Sequence, residues 1–155
     1  MTSAPSAPHP RDGHTGDPGV AGSGSSHPAG PDVVELELPA DPAYLGVVRT
    51  ACAGLGARLD LTLDEIEDLR IAVDEACTLV LPSGRSAHEP AVRLRATFSV
   101  SDTSLAVRVQ GPNPNLPVES SYAWAVREAL AGDVSSGVEA AGAWIALTHT
   151  RSRAA

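Results

Sequence analysis

The chain has 155 residues, a formal charge of −8 and eleven basic residues, all of them arginine. That length favours one domain, and an acidic chain without a basic stripe excludes phosphate-backbone contact of the kind nucleic-acid binding needs. With one Phe, two Trp and two Tyr, the core rests on Val, Leu, Ile and Ala.

Residues 1–31 are expected to form a disordered tail, because six prolines alternate with Gly, Ser and Ala and almost nothing apolar is available to bury. The start lacks the basic and apolar runs of a secretory signal, and no stretch approaches the roughly 18 apolar residues of a membrane span. A cytoplasmic protein without membrane contact is the expectation. From residue 32 to 151 the pattern is that of a folded domain. Val34, Leu36 and Leu38 alternate with Glu35 and Glu37, the period of a half-buried strand. Asp41-Pro42 suits a helix start, with Leu45, Val48, Cys52 and Leu55 at helical spacing and Gly54 and Gly56 weakening the helix end.

Thr62-Leu63-Asp64-Glu65 is a capping box, and Leu61 with Ile66 is placed for a hydrophobic staple. Ile66, Leu69, Val73, Ala76, Cys77 and Val80 then form one apolar stripe of a second helix, stopped by Pro82-Ser83-Gly84. Residues 92–100 and 105–109 alternate as two strands joined by a short turn, an antiparallel hairpin. Gly111-Pro112-Asn113-Pro114-Asn115 is irregular. A third helix over 121–131 and a closing hairpin of residues 134–139 and 143–150 complete the order β-α-α-β-β-α-β-β. Helices on one face of a mostly antiparallel sheet make a two-layer α+β sandwich.

The second helix and this order of elements carry a resemblance. Ile66-Glu67-Asp68-Leu69-Arg70-Ile71-Ala72-Val73-Asp74-Glu75-Ala76-Cys77-Thr78 resembles the N-box helix of the anti-sigma-factor serine kinases, members of the Bergerat-type (histidine-kinase-like) ATPase superfamily. The resemblance covers about residues 33–150 and implies a Bergerat-type sandwich. It also implies a general base at Glu75, and an Asn holding Mg²⁺ one helical turn later, where this chain has Leu79. Leucine offers no oxygen to a hard cation. The family's Asp-x-Gly-x-Gly motif, whose Asp accepts the adenine amino group, falls on Gly111, Asn113 and Asn115. The glycine-rich lid that should follow is reduced to the few residues before Ser121, leaving few backbone amides to cradle phosphate.

The resemblance therefore implies an anti-sigma factor of the stress-response type that sequesters an alternative RNA polymerase sigma factor and is released by a STAS-type anti-anti-sigma protein. Catalysis is expected to be lost, with Glu75 vestigial and no cofactor. The rival expectation is an active serine kinase using Mg·ATP on the anti-anti-sigma protein. Arg49 matches the family's partner-contacting Arg, and Asp64, Glu67 and Asp68 belong to an acidic helix face suited to a basic partner. A homodimer is implied by the family as well.

Other chemistry is not encoded. There is no phosphate-binding P-loop, nucleophile elbow or paired-histidine zinc motif, so no metal site is expected. Cys52 and Cys77 read as buried thiols, His149 as a sheet-surface residue, and Trp124 and Trp144 as packing residues.

Overall fold

The computed structural model describes residues 30–82, 92–116, 126 and 132–152. The expected tail (but for Gly30 and Pro31), the shortened lid, Trp124 and all of the third helix except Val126 lie outside the described residues; Val126 is helical and buried.

Strand β1 (Asp32–Pro39) leads through a short 3-10 turn, Pro42–Tyr44, into α1 (Leu45–Arg58). The Asp41 side chain accepts the Ala43 amide at 2.8 Å, so the chain turns where Asp-Pro predicts. Helix α2 (Leu63–Val80) opens with the complete capping box. The Glu65 amide donates to Thr62 Oγ1 at 3.2 Å, and the Thr62 amide donates back to Glu65 Oε2 at 2.8 Å. Strands β2 (Arg93–Val100), β3 (Ser104–Gln110), β4 (Asp133–Glu139) and β5 (Gly142–Thr150) follow.

The five strands form one sheet in the order β1-β2-β3-β5-β4, antiparallel throughout. Alternation sets its two faces. Leu94, Ala96, Phe98, Leu105, Val107, Val109, Ala143, Ile145 and Leu147 are buried and share one face. They meet Leu69, Val73, Ala76 and Val80 of α2 and Val48 and Cys52 of α1 in one cluster, where burial of apolar surface supplies the main driving force. The result is the two-layer sandwich with helices on one side.

Two details differ from the sequence reading. Gly54 and Gly56 do not shorten α1, which runs on to Arg58. Gly56 is buried, and a Cβ there would lie 3.1 Å from Ile66 and 3.4 Å from Leu61. The glycine thus lets the staple pair of α2 close onto α1. His149 is not on the open sheet surface either. The β5 alternation that buries Ala143, Ile145 and Leu147 also turns His149 toward the helices, where it is only 7% exposed.

Candidate nucleotide and partner site

Helix α2 projects Glu75 outward, exposed and without a hydrogen bond or ion pair among the described residues. One turn later Leu79 is half-buried and packed against the core. Beyond the helix end, the loop after β3 folds back onto α2. The Asn113 amide donates to the Val80 carbonyl at 3.0 Å, and Asn113 Nδ2 donates to the Leu79 carbonyl at 2.9 Å. The Asn113 carbonyl accepts the Ala143 amide at 2.8 Å, and Asn113 Oδ1 accepts the Asn115 amide at 3.2 Å.

Every polar group of Asn113 is therefore used. The last carbonyls of a helix have no partner within it, and α2 ends at Leu81 in an extended conformation, without a glycine turn. Asn113 supplies two of the missing donors from 33 and 34 positions downstream, which makes it a tertiary cap. Nothing in the local sequence of α2 signals this.

The same clasp leaves no room beside it. Gly111 is buried, and a Cβ there would lie 2.3 Å from the Val80 carbonyl oxygen. Gly142 sits at φ +117°, and its Cβ would lie 2.0 Å from the Gly111 carbonyl oxygen. Only glycine fits either position. The position where the family's adenine-binding Asp is expected thus cannot carry any side chain on this backbone.

The sequence profile of the histidine kinase-like ATPase domain matches residues 38–147. The chain belongs to that family. Serine-protein kinase RsbW of Bacillus licheniformis is 30% identical over 88 residues, 57% of this chain and 55% of the relative. Its counterpart in Bacillus velezensis is 51% identical over 47 residues, 30% of this chain and 29% of the relative. The matched region spans from under a third to just over half of the length of these relatives. A crystal structure of the RsbU and RsbW domains of a Mycobacterium tuberculosis protein superposes with a TM-score of 0.58 at 20% identity, covering 80% of this chain and 34% of the other. Within the histidine kinase-like ATPases, this chain is an RsbW-like member.

Against that family's Mg·ATP chemistry, the residues present do not fit. Glu75 stands alone: no group of three or more His, Cys, Asp or Glu side chains converges among the described residues. Leu79 has no donor oxygen, the Gly111 position is sterically closed, and Asn113 is committed to the end of α2.

The remaining singled-out residues lie on the outer helical layer. Arg49 of α1 reaches across to α2, where Nη1 donates to Asp74 Oδ1 at 3.0 Å, with both side chains about two-fifths exposed. The predicted partner-contacting arginine is thus already paired, with the residue that precedes Glu75. Glu67 is paired with Arg70, whereas Asp64 and Asp68 are exposed and unpaired among the described residues. Ile71 is 59% exposed between these acids, and Val47 of α1 is exposed as well. Spacings of three or four place Asp64, Asp68, Ile71 and Glu75 along one stripe. Sequence reasoning found the acids, Asp74 among them, but missed that Asp74 is the counter-ion of Arg49.

Elsewhere on α2, the Thr62 amide and hydroxyl hold the Glu65 carboxyl down to about 2. His149 Nε2 lies 3.7 Å from Glu65 Oε1, and neither imidazole nitrogen has a hydrogen-bond partner among the described residues. Burial pushes both the Cys52 and the Cys77 thiols up to about 12, so they are inert packing groups. Trp144 lies on the open face of the sheet, against Gly137, with the Arg108 guanidinium 4.7 Å from its ring centroid. No helix among the described residues is long and apolar enough to cross a membrane.

Proposed function

We propose that this chain is an anti-sigma factor that acts by sequestration: it binds an alternative sigma factor stoichiometrically and is released by a competing STAS-type anti-anti-sigma protein. The observation carrying this reading is the clasp of Asn113 and Gly111 on the end of α2. It closes the position expected for the family's adenine-binding Asp, and Leu79 beside it offers no oxygen to Mg²⁺. Partner binding needs neither group. The outer helical layer supports it, with unpaired acids around the exposed Ile71 and the Arg49–Asp74 pair at their edge. In this reading Arg49, Asp64, Glu67 and Asp68 contact the partner, and binding populations set the output. The domain is residues 32–151; the protein is cytoplasmic and forms the family's homodimer.

The rival is an active serine kinase acting on the anti-anti-sigma protein. Two observations favour it. Glu75 is exposed and unencumbered, and the relatives are named serine-protein kinases. Calorimetric titration of Mg·ATP, with Glu75→Ala as control, separates the two. Sequestration predicts no detectable heat. Binding tighter than about 100 μM, roughly 5.5 kcal/mol, would overturn it and restore the kinase.

A further inference from the structure

The open face of the sheet, away from α2, carries an unbalanced charge cluster. Register places Glu37, Arg95 and Gln110 in one row across β1, β2 and β3, with Arg93 next along β2. Glu37 is the sole counter-ion of both arginines among the described residues. Its Oε1 lies 3.5 Å from Arg93 Nε and its Oε2 lies 3.7 Å from Arg95 Nη2. Charge-assisted hydrogen bonds close to about 2.7–2.9 Å, so one carboxylate is stretched between two guanidiniums and satisfies neither. Neither arginine makes a hydrogen bond among the described residues. The neighbouring Arg108 differs, because Glu139 holds it at 2.9 Å and also accepts from Gln110 Nε2 at 3.1 Å.

Glu37, Arg93, Arg95 and Gln110 line a cavity of about 330 Å³ together with Val92 and Pro112, within the size range of small-ligand sites. Among the described residues, two positive forks and one loosely held negative charge leave a net positive concavity in a chain of charge −8. We infer that this cavity is an anion site for a phosphoryl group, inorganic or esterified, gripped by Arg93 and Arg95. Glu37, tethered to β1, brings one negative charge to two guanidiniums and stays 3.5 and 3.7 Å from them. A tetrahedral dianion presents more oxygens over a wider span and neutralises both charges.

The test is a ¹H–¹⁵N NMR titration of the full chain with sodium phosphate at constant ionic strength, following the arginine Nε–Hε signals, with sodium chloride as control. Saturable shifts with Kd on the order of 1–10 mM are expected for two half-exposed arginines. The double variant R93Q/R95Q weakens binding about tenfold or more. Glu37→Gln, which removes the competing carboxylate, tightens it about threefold or more and guards against a loss caused by misfolding. A parallel titration with O-phosphoserine assigns the site to esterified groups if that ligand binds more tightly, and to the free ion if the two bind equally. Shifts reproduced by chloride, or unchanged affinity in Glu37→Gln, overturn the inference.

Discussion

The clasp at the end of α2 can be tested through one side chain. Asn113→Ala keeps the backbone bonds to Val80 and Ala143 but deletes the 2.9 Å bond to the Leu79 carbonyl and the 3.2 Å bond from the Asn115 amide. A net hydrogen bond contributes about 0.5–1.5 kcal/mol, more where a half-buried group is left without a partner. The second bond is exposed and long, so the loss is expected at about 1–2 kcal/mol. At roughly 4 °C per kcal/mol for a domain of this size, that is about 4–8 °C in Tm. Asn113→Asp keeps the acceptor for Asn115, removes the donor to Leu79, and sets a negative charge at the negative end of the helix dipole, costing about 0.3–1 kcal/mol more. Urea unfolding followed by far-UV circular dichroism should therefore rank the variants Asn above Ala above Asp. Asn113→Ala within about 0.3 kcal/mol of the parent, or Asp as stable as Asn, would refute the capping role.

Four further outcomes follow from the same geometry. Gly111→Ala sets a Cβ 2.3 Å from the Val80 carbonyl oxygen and is expected to destabilise by about 2–3 kcal/mol in the same unfolding assay. Because the Glu65 carboxyl is held down to about 2 from 4.5, its contribution is complete above about pH 4.5 and is lost as pH falls toward 2; the drop in Tm from pH 7 to pH 3 should be smaller in Glu65→Gln. Cys52 and Cys77, buried and pushed up to about 12, should resist Ellman's reagent at pH 8 until the chain is unfolded; rapid labelling of the folded chain would contradict their burial. Asp74→Ala breaks a two-fifths-exposed ion pair and should change stability by less than about 1 kcal/mol. If Arg49 contacts the sigma factor, the same variant should change the affinity of that complex, read by calorimetry.

Much of the fold was legible in the residues because short-range rules sufficed. The capping box of Thr62 and Glu65, the stripe from Ile66 to Val80 and the alternation over residues 92–110 each reflect a local period or a bond spanning three positions. The expectation that Leu79 and Gly111 stand where the family has its Mg²⁺-binding Asn and motif Asp concerns residue type alone and needs no tertiary contact. Where each side chain ends up was not legible in this way. Alternation specified that His149 shares a face with Leu147, but an exposed polar residue was the default until the helices were seen to cover that end of β5. Gly56 reads only as a weak point of the helix end until α2 is packed against it. The role of Asn113, the closure around Gly111 and Gly142, and the pairing of Arg49 with Asp74 all join segments between 25 and 34 positions apart. Such contacts follow from how layers meet in space, and no periodicity within a segment encodes them. The sequence by itself determined the strands and the two helices of the described residues; only the tertiary structure decided how Leu79, Gly111 and Asn113 meet at the end of α2.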